Sequence, residues 1–95
     1  MEPATTRQLW NIQEALRRLH AGGKSIAKLR EMFPTKEIAS KAIDILNEAD
    51  HSEAERINKL PVEQRIFASK TLSKEAYSEL RKLTVKREGE DANQS

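Results

Sequence analysis

Apolar residues recur at helical spacing between Leu9 and Leu46, with two interruptions. The first is the pair Gly22 and Gly23, and the second is Pro34. Because glycine and proline both end helices, this pattern predicts three helices in close succession rather than one long helix. Only 37% of the residues are apolar and 4% are aromatic, which favours helices packed through aliphatic side chains over a β-sheet.

Short hydroxyl side chains precede the predicted helices, where their oxygen accepts a hydrogen bond from an unpaired backbone N–H. The N-caps predicted in this way are Thr5, Ser25, Thr35, Ser52 and Ser73. Gln8 and Glu55 follow the first and fourth of these by three residues, which is the spacing of a capping box. A further helix follows Pro61 or continues bent through it. The sequence therefore predicts an all-α fold, a compact bundle of about five short helices.

The predicted domain spans residues 5–87, because 95 residues suffice for one small core. Residues 1–4 are expected to be disordered, and residues 88–95 are expected to form a disordered acidic and polar tail. In the first helix, Leu9, Ile12, Leu16 and Leu19 form one apolar stripe that Trp10 widens. The glycine pair is expected to supply the left-handed residue that ends this helix.

No residue pattern indicates an enzyme, a cofactor or a metal site. Cysteine is absent, and His20 and His51 each lack a metal-ligating partner at helical spacing. The segment from Gly22 to Ser25 lacks the first glycine of a phosphate-binding loop. The longest apolar runs are far shorter than the roughly 20 residues that span a bilayer, and no signal peptide is evident. The sequence therefore predicts a non-enzymatic intracellular protein, of the cytoplasm, nucleoid or nucleus, without a membrane partner.

Charge is distributed in three blocks, although the net charge is only +2. Residues 3–30 hold six basic residues and one acidic residue, residues 31–63 hold four and eight, and residues 64–87 hold seven and two. Two basic blocks thus flank an acidic middle. Either the solvated helix faces complement one another when packed, or the basic blocks form a surface for a polyanion or an acidic partner.

Residues 10–46 resemble tri-helical helix-turn-helix and Myb-like DNA-binding domains. The resemblance lies in Trp10 at the start of helix one, the segment from Gly23 to Ser25 before helix two, and the segment from Phe33 to Thr35 before helix three. It implies that the third helix enters the major groove while residues around the turns contact phosphates. The base-reading residues implied are Lys36, Ser40 and Lys41, and the phosphate-contacting residues are Arg17, Arg18, Lys24 and Lys28. The third helix departs from this family because its acidic residues outnumber its lysines.

Residues 63–83 resemble the last two helices of KIX domains, which dock amphipathic segments of transcription activators. The residues that carry this resemblance are Glu63, Ile66, Phe67, the polar break from Ser69 to Ser73, Tyr77, Leu80, Arg81 and Lys82. It implies that Tyr77 and Leu80 line a groove for an acidic helix. Arg81, Lys82 and Lys86 would then pair with its carboxylates. Alternatively, Tyr77 and Leu80 fill the core.

Two functions of different classes follow from these patterns. The first is a nucleic-acid-binding helical domain, with DNA as the expected ligand and a role in transcription or genome handling. The second is a helical docking module for an acidic amphipathic protein segment.

Overall fold

A computed structural model describes residues 2–84, and within this range the regular structure consists of five α-helices without a named strand. The helices are α1 (Thr6–Arg18), α2 (Ile26–Met32), α3 (Lys36–Asn58), α4 (Val62–Arg65) and α5 (Lys74–Leu83). The predicted all-α class is confirmed. The expected tail at residues 88–95 and the last residues of the predicted domain, 85–87, lie outside the described residues.

Four of the five predicted N-caps are confirmed. The hydroxyl oxygens of Thr5, Ser25, Thr35 and Ser73 each accept a hydrogen bond of 3.1 Å from the backbone N–H three residues later. Thr5 completes a capping box, because its own backbone N–H donates to the Gln8 side chain. These local hydrogen bonds set where α1, α2, α3 and α5 begin.

The predicted helix start at Ser52 is wrong, because Ser52 lies inside α3. This helix runs for 23 residues, and no glycine or proline interrupts the sequence between Lys36 and Leu60. An uninterrupted helix satisfies more backbone groups than two helices separated by a cap. The exposed Ser52 side chain is consequently a surface residue rather than a cap.

The end of α1 differs from the predicted glycine cap. The left-handed residue is His20, with φ of 56°, and not one of the two glycines. The N–H of Ala21 donates to the carbonyl of Leu16 at 2.8 Å, and the N–H of His20 donates to the carbonyl of Arg17 at 3.0 Å. This is a Schellman motif. Gly23, with φ of 111°, then turns the chain towards α2.

The part of the chain that the structure describes contributes twelve buried side chains to the hydrophobic core, and eleven of them precede residue 47. They are Ala4, Leu9, Ile12, Ala15, Leu16, Leu19, Leu29, Phe33, Ala39, Ala42, Leu46 and Leu80. The predicted stripe of α1 is confirmed, but Trp10 is 61% exposed and lies outside the core. Consecutive helical residues differ by about 100° in direction, so position 10 points away from the face that Leu9 buries.

Residues 2–4 pack against the turn between α2 and α3, so the expected disorder of this segment is wrong. Ala4 is 2% exposed, and its N–H donates to the carbonyl of Pro34 at 3.0 Å. The N–H of Lys36 donates to the carbonyl of Glu2 at 2.9 Å, and the Arg30 guanidinium donates to the carbonyl of Ala4. Backbone pairing with the turn therefore orders a segment that has almost no apolar pattern of its own.

Helix α3 packs against α1 through its first half and against α5 on another side. Leu80 inserts α5 into the core, and Leu72 and Leu83 pack around it. None of the helices within residues 2–84 is both long enough and apolar enough to cross a bilayer. The packing leaves a groove on each side of α5.

Candidate functional site: two grooves beside helix α5

The seven residues implied in nucleic-acid binding are all exposed, but four of them have a carboxylate within 4 Å. These pairs are Arg17 with Glu14 at 3.8 Å, Lys28 with Glu31 at 3.7 Å, Lys36 with Glu2 at 3.0 Å and Lys41 with Glu37 at 3.5 Å. Exposed ion pairs contribute little to stability. They do lower the net positive charge that these cations offer to a polyanion.

The remaining members of that set lie in different surroundings. Arg18 lines a shallow cleft between α1 and α3, together with Ile43 and Asn47. Lys24 lines a cavity against α5, and its carbonyl accepts a hydrogen bond from Gln13. Ser40 is exposed on α3. The structure thus places Arg18 and Lys24, two of the predicted phosphate-contacting residues, at different cavities.

One side of α5 carries a groove of about 870 Å³ that we call the basic groove. It is lined by Leu72, Ser73, Lys74, Tyr77, Ser78, Arg81, Lys82 and Thr84. Among residues 2–84, three cations and no carboxylate line this groove, although Glu79 reaches one of them, Lys82, at 3.6 Å. Tyr77 is 55% exposed, so the alternative that it fills the core is wrong.

An apolar cavity of about 90 Å³ lies behind the basic groove. Leu16, Met32, Phe33 and Leu80 line it, and Tyr77 belongs to both spaces. For Leu80 the core alternative is confirmed, because this side chain is only 6% exposed and lines the interior space rather than the open groove. The cavity is large enough for an aliphatic group to enter from the groove.

The two predicted residue sets meet at this cavity. Lys24, implied by the helix-turn-helix resemblance, lines it together with Tyr77 and Arg81, which the KIX resemblance implied. Lys82 lines the adjoining groove, whereas Lys86 lies outside the described residues.

Sequence reasoning missed Lys74 and Leu72 as groove residues. Lys74 precedes Arg81 by seven positions, so helical spacing alone places both on one face of α5. No local signal identifies Leu72, because it lies in the loop before the helix. Its position in the groove depends on contacts between that loop and α3.

The other side of α5 carries a groove of about 420 Å³ shared with α3, which we call the acidic groove. Its apolar lining residues are Ile45, Ala49 and Ala76. Its acidic lining residues are Asp44, Glu48, Glu53, Glu75 and Glu79. Three of these carboxylates belong to α3, and two of the three, Asp44 and Glu48, follow its predicted base-reading residues by one to two turns. Helix α5 therefore separates a basic groove from an acidic one.

Glu53 holds the loop before α5 against α3. Its carboxylate accepts two hydrogen bonds from the Arg56 guanidinium, at 2.9 and 3.0 Å, and one from the Thr71 backbone N–H at 2.8 Å. The Arg56 hydrogen bonds and then that of the Thr71 amide lower the pKa of Glu53 to about 2. The same carboxylate raises the pKa of Arg56. This arrangement positions Leu72, the next residue, at the basic groove.

Two further contacts position the same loop. The Lys70 ammonium lies 3.0 Å from the Asp50 carboxylate. The carbonyl of Lys70 lies 2.8 Å from Nδ1 of His20, the left-handed residue after α1. The loop that lines the basic groove is therefore tied to α3 and to the end of α1 by polar contacts.

Among residues 2–84, no group of three or more histidine or acidic side chains is placed to hold a metal ion. Comparisons of the chain with protein-family models, with curated proteins and with solved structures gave no match.

Proposed function

We propose that this chain is a protein-docking domain whose basic groove binds an acidic amphipathic helix. The observation that carries the proposal is the lining of that groove, in which Lys74, Arg81 and Lys82 surround the exposed Tyr77 without a carboxylate among them. An amphipathic helix docks by placing apolar anchors in a groove and charged residues at its rim. The groove offers both kinds of contact.

The spacing of Lys74 and Arg81 indicates how far apart the carboxylates of the partner helix should be. Lys74 and Arg81 lie seven residues apart on α5, which is about 10 Å along a helix axis. A partner helix with carboxylates about two turns apart would place one beside each cation. Between them, one aliphatic side chain would contact Tyr77 and enter the cavity that Leu16 and Leu80 line.

Fluorescence polarisation with a labelled peptide tests this proposal. The peptide carries glutamates at positions i and i+7 of a designed helix and leucines on the adjoining face. We expect binding by the intact chain and at least about tenfold weaker binding by Tyr77→Ala and Arg81→Ala, because both remove groove contacts. Trp10→Ala and Arg18→Ala are the matched controls, since they remove an exposed aromatic residue and an exposed arginine outside the groove. Equal losses in test and control variants would refute the groove as the site.

Nucleic-acid binding is a second candidate, favoured by the arrangement of α2 and α3. Helix α2 has seven residues, and α3 starts after the three residues 33–35 with Thr35 as its cap. Helix-turn-helix modules have a turn of three to four residues. Lys36, Ser40 and Lys41 lie exposed at the start of α3, where this family reads bases. The function would be DNA binding in transcription or genome handling.

A salt titration of binding to a labelled random DNA duplex tests the second candidate. Phosphate contacts release counterions, so affinity should fall steeply between roughly 50 and 200 mM salt. The double variant Arg17→Ala, Arg18→Ala should reduce the slope of log affinity against log salt by up to about two. Tyr77→Ala should leave that slope unchanged. Absence of binding at the lowest salt would remove this candidate.

A further inference from the structure

Three large apolar side chains lie exposed together between α3 and α5. Val62 is 66% exposed, Ile66 is 75% exposed and Phe67 is 86% exposed. Val62 and Ile66 lie four residues apart, so they share one face of α4 and its C-cap. We call these three residues the apolar patch. They expose roughly a few hundred Å², an area that on monomeric proteins is frequently an interaction site.

Hydrogen bonds hold the backbone beneath the apolar patch in place. The Arg65 guanidinium donates to the carbonyls of Asn58 and Leu60, both at 2.9 Å. The N–H of Phe67 donates to the carbonyl of Gln64 at 3.2 Å. The fold therefore presents these side chains on a defined backbone while leaving them outside the core. Such a surface fits a partner rather than solvent.

The acidic groove of another copy matches the apolar patch in both polarity and charge. Its apolar lining, which includes Ile45 and Ala76, suits apolar side chains. In sequence, Lys59 precedes the patch and Arg65 lies within it, and both are exposed, as is Glu63. These two cations outnumber the one carboxylate, whereas, in the described part of the chain, only acidic residues contribute charge to the lining of the groove. The basic groove would instead oppose these cations with cations of its own.

We infer that the apolar patch of one chain docks into the acidic groove of a second copy of the same chain. The exposure of Phe67 shows that the patch does not occupy the groove of its own chain. Patch and groove are different surfaces, so the contact is heterologous, and repetition would produce a ring or an open chain of subunits. The basic groove on the other side of α5 takes no part, so this inference is independent of the proposed docking function.

Sedimentation equilibrium of the intact chain over a range of concentrations tests the inference. We expect the average mass to rise with concentration. The patch variant Phe67→Asp and the groove variant Asp44→Lys, Glu48→Lys should each weaken self-association at least about tenfold, because one loses apolar contact and the other reverses the charge. Trp10→Asp is the matched control, and it should associate as the intact chain does. Far-ultraviolet circular dichroism confirms that each variant is folded.

Mixing the two variants tests the head-to-tail arrangement. The patch variant retains its groove and the groove variant retains its patch, so an equimolar mixture should form a heterodimer although each variant alone is monomeric. A chain that stays monomeric at all concentrations would overturn the inference. So would self-association that survives Phe67→Asp, or a mixture that does not associate.

Discussion

Different kinds of contact stabilise residues 2–49 and residues 50–84. The first region contributes eleven of the twelve buried core residues, and the second contributes only Leu80. In the second region Leu72 and Leu83 are only partly buried against the core. Polar contacts, above all those of Glu53 with Arg56 and Thr71, add to this packing. Hydrophobic packing stabilises a whole region at once, whereas each polar contact fixes one place in the chain.

The exposed apolar residues follow the same division. Of the five large hydrophobic side chains exposed within residues 2–84, the second region contains four, namely Val62, Ile66, Phe67 and Tyr77. Exposed apolar surface of this kind is frequently an interaction site. The basic groove and the apolar patch both lie there, while α1 and α2 supply the scaffold. Most of the buried core therefore lies in residues 2–49, and most of the exposed apolar surface lies in residues 50–84.

Replacing an isoleucine by alanine in each region should give the largest difference in the free energy of unfolding. Ile12 is fully buried in α1, so Ile12→Ala should lower the free energy of unfolding by about 2 to 5 kcal/mol. Ile66 is 75% exposed, so Ile66→Ala should change that free energy by less than about 0.5 kcal/mol. Urea unfolding at a protein concentration too low for self-association measures both. Similar losses at the two positions would show that the division between regions is wrong.

Removing the charge of Glu53 should loosen only the second region. Glu53→Gln weakens the charged acceptor of the Thr71 N–H, so exchange of that amide should accelerate roughly tenfold, equivalent to about 1.4 kcal/mol. Backbone amides in α1 should exchange at their original rates. Glu55→Gln is the control, because Glu55 pairs with His51 and not with the loop. Faster exchange throughout α1 would mean that the two regions unfold together.

Lowering the pH should destabilise residues 50–84, because the Glu53 carboxylate becomes protonated. The pKa of Glu53 is lowered from 4.5 to about 2 in the folded chain, so its stabilising contribution is present above about pH 4.5 and is lost as the pH falls towards 2. After allowance for solvent screening, the effect should be about 1 kcal/mol. The measurement is the difference in unfolding free energy between the intact chain and Glu53→Gln at several pH values. A difference that stays constant from pH 6 to pH 2 would contradict this assignment.

Local sequence signals predicted the helix starts and missed contacts between distant segments. Thr5, Ser25, Thr35 and Ser73 cap helices as predicted, because a cap needs only a hydroxyl group and a backbone N–H three residues later. The same signal was misleading at Ser52, where α3 simply continues. A cap can stabilise a helix start but does not create one inside an uninterrupted helical segment.

The candidate site was predicted in part. Tyr77, Arg81 and Lys82 line the basic groove, and spacing within α5 places them near one another. Leu72 could not be predicted, because the contacts of Glu53 set the position of its loop. The acidic groove was also missed, since it forms only where α3 and α5 come together.

Local patterns were enough to predict the all-α class, four of the caps and the apolar stripe of α1, because helical hydrogen bonds and periodicity link residues no more than about four positions apart. Two features became evident from the folded chain alone: residues 2–4 pair with the turn before α3, and Lys24 and Arg81 line one cavity. These contacts join segments far apart in the chain. They depend on how helices pack against each other, which no short stretch of sequence specifies.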